Sequence, residues 1–181
     1  MYGMVNKAVE DMVCSMHGEA RWEQVKERAG VDVDVFISNE SYPDDMTYKL
    51  VGAASELSGT PPAQILEAFG EHWVLKTARA SYGELLNAGG KSLPEFLVNL
   101  PDFHARVSMI FPRLQPPRFK VSDITEHSLH LHYFTQRAGL APFVIGLVKG
   151  LGKMFQTPIK SMRLIGARDQ GADHDLFLIE W

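Results

Sequence analysis

The stretch LHYFTQRAGLAPFVIG, residues 131–146, decides the fold because its pattern changes halfway along. Its first half alternates as a strand does, and its second half is an apolar helix. Side chains two positions apart lie on one face of a strand, so Tyr133, Thr135 and Arg137 are predicted to share a face. That face offers two hydroxyl groups and a guanidinium group, which makes it a candidate binding surface.

The composition is typical of a folded soluble protein and favours a single domain over residues 1–181. Of the 181 residues, 45% are hydrophobic and 22% are charged. The formal net charge of −4 and the lack of a Lys/Arg cluster argue against a nucleic-acid partner. The apolar run Leu140–Val148 is far shorter than the roughly 20 residues that span a bilayer, so no membrane partner is expected. Cys14 is the only cysteine, and the N-terminus has the wrong order of regions for a secretory signal, which together predict a cytoplasmic protein.

Helix signals dominate the first part of the chain. Apolar residues at helical spacing predict an amphipathic helix from Met4 to Met16 that ends near Gly18. A second helix is predicted over Glu19–Ala29, with Gly30 as its left-handed stop. Capping or proline residues mark the starts of three further helices, namely Asp44 and Asp45 before MTYKLVGAASEL, Pro61 and Pro62 in PPAQILEAFGEHWVLKTARA, and Ser92 before LPEFLVNL.

From PPRF onward the pattern changes to strands. Polar turns separate four predicted strands, in RFKVSDI, HSLHLHYFTQ, MRLIGARD and DLFLIEW. The helix PFVIGLVKGLGKMF interrupts them. Because the helices come first and the sheet second, the sequence predicts an α+β fold.

Three histidines lie close together in the second predicted strand region. His130 and His132 are two residues apart, so both could reach one metal ion, and a metal-dependent enzyme is one alternative. A solvent-facing strand surface that also includes His127 is the simpler interpretation. No zinc, nucleophile, P-loop or dinucleotide-binding motif supports an enzyme.

His104 has a different setting. Pro101 and Asp102 restart a helix, which predicts His104 in its first turn, beside Phe103 and facing the core. Taken alone, a core histidine is more often a packing residue than a ligand. A single neutral imidazole is, however, what a haem iron needs on its proximal side, and haem propionates need donors such as those of Tyr133 and Arg137.

These residues and several longer stretches resemble one family over the whole chain. His104, the following FPRLQPPRF, and YFTQR are similar to the proximal histidine, the proline-rich segment and the Y-x-S-x-R signature of the haem nitric oxide/oxygen-binding (H-NOX) family, which includes the haem domain of soluble guanylate cyclase. The other matching stretches are MYGMVNKAVEDMV, LVGAASE, FGEHW, LPEFLVNLPDFHARV and AGLAPFVIGLVKGLG.

The resemblance implies a fold and a haem site. The fold is an N-terminal helical subdomain and a C-terminal subdomain with an antiparallel sheet, together enclosing haem b. His104 would be the proximal iron ligand, and Tyr133, Thr135 and Arg137 would hold the propionates. Thr135 replaces the serine of the signature, which keeps the hydroxyl and adds a methyl group. Pro117 would pack on the haem and help to distort it.

The resemblance also implies a distal pocket and a ligand. Phe143 stands where oxygen-binding members carry a tyrosine, so the pocket lacks that hydroxyl donor. Bound O₂ needs a donor and NO does not, which favours NO, with CO as a further ligand. O₂ binding is the alternative, since the indole N–H of Trp73 is itself a donor. The other expected pocket residues are Val5, Trp73, Val74 and Leu147.

The expected mechanism is sensing without catalysis. NO binding opposite His104 would weaken the iron–imidazole bond, flatten the haem and move the helix that carries the histidine. The chain shows no kinase or cyclase motif, so the signal would pass to a separate histidine kinase or cyclic-di-GMP enzyme, as in freestanding bacterial relatives. A haem-free interaction module is a further alternative. The chain ends inside a predicted strand, so the natural protein could extend past Trp181.

Overall fold

The computed structural model describes residues 1–181 and has the predicted α+β order. Eight α-helices and one π-helix are present: α1 Gly3–His17, α2 Glu19–Ala29, α3 Asp44–Ser58, α4 Pro62–His72, the π-helix Trp73–Ala78, α5 Arg79–Asn87, α6 Leu93–Val98, α7 Leu100–Ile110 and α8 Ala141–Met154. The strands are β1 Arg118–Ser122, β2 Ser128–Phe134, β3 Ser161–Gly166 and β4 Asp175–Glu180. None of the helices is long and apolar enough to cross a membrane.

Several predicted helix ends are confirmed. Gly30 ends α2 in the left-handed conformation, with φ 64°, and its N–H is bonded to the carbonyl of Glu27. The hydroxyl of Ser92 caps α6 by accepting from the N–H of Glu95 at 3.4 Å. The predicted start of α3 is wrong, because no side chain caps it and Asp44 and Asp45 lie in its first turn. Their negative charges still suit the positive end of the helix.

Two local predictions near the candidate site are also wrong. Strand β2 ends at Phe134, so Thr135 and Arg137 lie in the following loop and do not share a strand face with Tyr133. The pairing with β1 stops at that point, and the N–H of Arg137 turns back to the hydroxyl of Thr135 at 3.1 Å. His104 is the fifth residue of α7, one turn later than predicted.

The four strands form one antiparallel sheet in the order β1-β2-β4-β3. Along β2 the odd-numbered residues are buried and the even-numbered residues are partly exposed. Leu131 therefore faces the core, opposite Phe177 of β4. His130 and His132 face the other side of the sheet.

Two hydrophobic cores lie in the N-terminal and C-terminal parts of the chain. The N-terminal core is formed by α1–α4 and the loop after α2, and its largest buried side chains are Trp22, Phe36, Leu50 and Phe69. The C-terminal core lies between the sheet and α6–α8, and its largest buried side chains are Phe96, Phe119, Tyr133 and Phe177. Trp73, at the start of the π-helix, packs against both cores.

Helices α4 and α8 join the two cores at very close range. A Cβ atom on Gly146 would lie 1.9 Å from the carbonyl oxygen of Glu67, so only glycine fits at this crossing. Gly70 on α4 has the same role, since its Cβ would lie 2.3 Å from the carbonyl of Phe143. Lys149 on α8 forms a salt bridge with Glu67 across the crossing. The crossing fixes the distance between α8, which carries Phe143 and Leu147, and α4, which continues directly into the π-helix that carries Trp73 and Val74.

Candidate functional site

His104 is held in the form that a metal ion requires. Its Nδ1 atom lies 3.0 Å from the carbonyl oxygen of Leu100, one turn earlier in α7. A carbonyl oxygen only accepts hydrogen bonds, so Nδ1 carries the hydrogen and Nε2 keeps its lone pair. Burial of the ring lowers the pKa of His104, which favours neutral imidazole. The free Nε2 of a neutral imidazole is a ligand atom for iron or zinc.

Aromatic rings connect His104 to strand β2. The imidazole stacks on Phe119, with centroids 5.3 Å apart and planes 23° apart, and Phe119 in turn lies 5.2 Å from the ring of Tyr133. Phe103 meets the imidazole edge-on at 5.6 Å. Sequence reasoning missed Phe119. The one available signal was its position two residues after Pro117, in the segment that leads into β1.

Tyr133, Thr135 and Arg137 come together although they do not share a strand face. Burial raises the pKa of Tyr133, and a hydrogen bond with Thr135 offsets part of that rise. The backbone N–H of Arg137 donates to the hydroxyl of Thr135. The guanidinium of Arg137 donates through Nη1 to the carbonyl of Gln115 at 3.0 Å. The predicted donor set is therefore assembled by the end of β2, which carries Tyr133, and by the loop that follows it.

Asp44 is a site residue that sequence reasoning placed only at a helix start. Its Oδ2 accepts from Nε of Arg137 at 2.7 Å, and its Oδ1 accepts from the N-terminal amino group of Met1 at 2.5 Å. Partial burial alone would raise the pKa of Asp44, but the hydrogen bonds from these two cations outweigh burial and hold it below its usual range. Asp44 thus ties the N-terminal part of the chain to the arginine of the predicted clamp.

The predicted distal residues line the boundary between the two cores. Phe143 stacks on Phe69 at 5.2 Å, and Trp73 meets Phe69 edge-on at 6.2 Å. Val5 and Phe143 pack against the N-terminal core, whereas Leu147 packs against the C-terminal core. Val74 differs from the others because it is 3% exposed and belongs to the C-terminal core itself.

The histidines of the sheet form a different arrangement from a metal site. His130 Nδ1 lies 2.8 Å from Asp123 Oδ2, while His132 is bonded to Ser122 and His174. No group of three or more histidine, cysteine, aspartate or glutamate side chains converges to hold a metal ion. His127 is exposed as predicted, and His130 and His132 lie on the outer, partly exposed face of β2, so the predicted histidine surface is confirmed, with each of these two rings bonded to neighbouring side chains.

The residues present fit a haem. A buried imidazole with a free Nε2 matches the need of a haem iron, and a guanidinium with two nearby hydroxyl groups matches the need of propionates. Partly buried aromatic and aliphatic side chains at the core boundary match an apolar ring. Fold and side chains together are those of a haem-binding domain.

Comparison with known proteins gives the family. The Haem-NO-binding family matches residues 2–163, so this chain belongs to that family, whose members are haem-binding gas-sensor domains of the type found in soluble guanylate cyclases. Soluble guanylate cyclase gcy-31 from Caenorhabditis elegans is 26% identical over 175 residues, covering 96% of this chain. The chain spans only 25% of the length of that relative.

Solved structures confirm the fold. An H-NOX protein from S. oneidensis in the Fe(II)NO state matches with a TM-score of 0.89 and 22% identity, covering 99% of this chain and 98% of that one. An Fe(II) unliganded H-NOX mutant from K. algicida matches with a TM-score of 0.84 and 23% identity, covering 99% and 96%. The predicted H-NOX fold is therefore confirmed.

Proposed function

We propose that residues 1–181 form one sensor domain that binds haem b through His104 and takes up NO in preference to O₂. The hydrogen bond between His104 Nδ1 and the carbonyl of Leu100 carries the proposal, because it leaves Nε2 free in a buried, neutral imidazole. His104 would hold the haem, and bound haem would supply the iron that takes up the gas.

Donors at the end of β2 would hold the anionic edge of the cofactor. Tyr133 and Thr135 offer hydroxyl groups, and Arg137 offers a guanidinium whose orientation is set by Asp44 and Gln115. A carboxylate taken out of water is costly without such donors. Pro117, two residues before the Phe119 ring that stacks on His104, is proposed to pack against the cofactor.

The apolar boundary between the cores supports the choice of NO. Phe143 has no hydroxyl group and stacks on Phe69, so this position offers no donor to bound O₂. NO binds ferrous haem strongly without a donor, and CO is expected to bind as well. Val5, Trp73, Val74 and Leu147 are proposed to complete the pocket.

Helix α7 is proposed to carry the signal. His104 lies on α7 and is stacked on Phe119 of the C-terminal core, so a weaker hold of His104 on the cofactor would free this helix to move. The chain itself is proposed to have no catalytic activity. A separate histidine kinase or cyclic-di-GMP enzyme in a bacterial cytoplasm is the proposed receiver, which agrees with the bacterial source of a close structural neighbour.

The visible absorption spectrum tests this proposal. Protein expressed with haem precursor, reduced with dithionite under nitrogen, is expected to show a strong Soret band and the single broad visible band of five-coordinate ferrous haem. Exposure to NO should shift the Soret band, and exposure to air should leave the ferrous spectrum without an O₂ complex. A colourless protein would overturn the haem site, and a stable O₂ complex would overturn the selectivity alone.

A further inference from the structure

A continuous chain of hydrogen bonds crosses the outer face of the sheet, opposite the face that carries Tyr133. Asp173 Oδ1 lies 2.5 Å from Nδ1 of His174, whose Nε2 lies 2.8 Å from Nδ1 of His132. His132 Nε2 lies 2.8 Å from the hydroxyl oxygen of Ser122, which donates to Asp123 Oδ2 at 2.8 Å. This hydrogen-bonded chain therefore connects two carboxylates through two imidazoles and one hydroxyl.

This chain of bonds needs one more hydrogen than its neutral members supply. It contains four hydrogen bonds, and each needs one hydrogen. Neutral His174, His132 and Ser122 carry one polar hydrogen each. If the hydroxyl donated to His132 instead, its oxygen would face Asp123 at 2.8 Å without a hydrogen between them. Hydrogen bonds from Ser122 and then His130 lower the pKa of Asp123, so this carboxyl is ionised and cannot supply the hydrogen.

The surrounding charges indicate which ring takes the extra proton. Burial lowers the pKa of His132, and the nearby positive groups His174, Lys120 and His130 lower it further, against the opposing effect of Asp123. His132 therefore stays neutral, with its hydrogen on Nε2. His174 lies beside Asp173, and its ring stacks on Phe134 with centroids 4.2 Å apart. The carboxylate of Asp173 stabilises an imidazolium ion on His174, against the positive charge of Arg118, whose guanidinium lies 4.7 Å from the centroid of the same Phe134 ring.

We propose that His132 and His174 form a proton-binding site that holds the turn between β3 and β4 against the sheet. The turn, residues 167–174, contains His174, whereas His132 lies on β2. One shared proton completes every bond of the chain, so the site favours the folded turn when the proton is present. Stability from this site is therefore present at mildly acidic pH and lost as the pH rises through the range where imidazoles titrate.

A second contact connects this turn to the predicted propionate clamp. Arg168 in the turn donates through Nη1 to the carbonyl of Thr135 at 2.6 Å. The hydroxyl of Thr135 in turn accepts a hydrogen bond from the backbone N–H of Arg137. Release of the turn would therefore loosen the loop that carries both residues. This extension, a pH-dependent hold on haem, rests on the proposed function.

Nitrogen NMR of the histidine rings tests the site directly. Long-range proton–nitrogen spectra of the ¹⁵N-labelled ferrous CO form are expected at about pH 6 to show both nitrogens of His174 protonated and His132 as the Nε2–H tautomer. Raising the pH to about 8 should remove one proton from the pair and speed amide exchange across residues 167–174. Two rings that titrate independently, or an exchange rate that does not change with pH, would overturn the proposal.

Two variants sharpen this test. In His132→Leu, the acceptor of the His174 Nε2–H is gone, and amide exchange across residues 167–174 is expected to lose most of its pH dependence. In Ser122→Ala, the third and fourth bonds are gone, and His132 should lose its preference for the Nε2–H tautomer. His127→Leu is the matched control, because His127 is exposed and lies outside the hydrogen-bonded chain. An unchanged pH dependence of exchange in His132→Leu would show that no proton is shared.

Haem loss tests the extension separately. We expect the parent protein to release haem to an excess of an apo-globin acceptor several-fold faster at about pH 8 than at about pH 6. The His174→Gln variant should release haem at the faster rate at both pH values. A shared proton seen by NMR together with pH-independent haem loss would overturn the extension and leave the proton site standing. A protein that binds no haem would overturn the proposed function, and the NMR test would then be run on the colourless protein.

Discussion

The N-terminal and C-terminal cores contribute different things to the site. The C-terminal core supplies the chemistry, because His104 stacks on its Phe119 and Tyr133 lies in its sheet. The N-terminal core supplies the apolar cover through Phe69 and the carboxylate of Asp44 that orients Arg137. The comparison teaches that the candidate site belongs to neither core alone. Any relative movement of the two cores would change both the proposed gas pocket and the proposed clamp.

The largest expected effect is on the crossing that joins the cores. Gly146→Ala places a Cβ atom 1.9 Å from a backbone carbonyl, so α4 and α8 must separate. Because backbone atoms cannot move aside cheaply, we expect a loss of about 3 kcal/mol in the free energy of unfolding. Urea unfolding monitored by circular dichroism measures this loss.

Gly52→Ala in α3 is the matched control. Nothing lies within 4 Å of the Cβ that it adds, so this variant should be neutral or up to about 1 kcal/mol more stable. Equal destabilisation by the two variants would show that the close crossing does not hold the cores together.

The second-largest expected effect is on haem retention, and it concerns the C-terminal core alone. His104→Gly is expected to retain haem at least about tenfold less well, because the iron loses its protein ligand. Adding free imidazole should restore the Soret band while leaving the ligand untethered from α7. If NO still changes the activity of a signalling partner in the rescued variant, the link through α7 is wrong. His17→Gly, at an exposed position, serves as the control.

A smaller effect is expected at the boundary between the cores. Phe143→Tyr adds a hydroxyl group where Phe143 stacks on Phe69. A donor to bound O₂ should tighten O₂ binding about tenfold, with little change for CO. Ligand titration followed by visible absorption measures both affinities. Phe155→Tyr is the control, because it adds a hydroxyl to a partly exposed ring that packs on Phe96 in the C-terminal core, and it should leave O₂ affinity unchanged.

The smallest effect is the pH dependence of the contact between Asp44 and Arg137. The pKa of Asp44 is held below its ordinary value of 3.8, so the carboxylate stabilises the fold above that value, and this contribution is lost as the pH falls below it. Asp44 is partly exposed, so solvent screening limits the effect to under about 1 kcal/mol.

Unfolding experiments on Asp44→Asn measure that contribution. The variant should be less stable than the parent at neutral pH and should match it under acidic conditions. Asp34→Asn is the control, because it changes the net charge by the same amount at an exposed position. The difference in stability between Asp34→Asn and the parent should not become smaller as the pH falls. A difference that persists in acid for Asp44→Asn would mean that charge is not the source of the effect.

Much of the fold and part of the site could be predicted from local pattern. Apolar spacing and the stop at Gly30 placed α1 and α2, and alternation placed all four strands. The resemblance of His104 and its flanking stretches to the H-NOX family predicted the fold that the solved neighbours confirm. The π-helix at Trp73 was not predicted, because one continuous helix satisfies the same apolar spacing.

Residue types and short spacings were enough to predict the α+β order and the family, and they single out His104 as the candidate ligand. Only the tertiary structure decided the contacts of Arg137 with Asp44, which is 93 residues away, and of His132 with His174, which is 42 residues away. The difference between the two groups of features is the separation of the interacting residues along the sequence. Periodicity reports which face a side chain takes within one element, whereas a contact between distant residues depends on how the elements cross, and that is set by the packing of both cores.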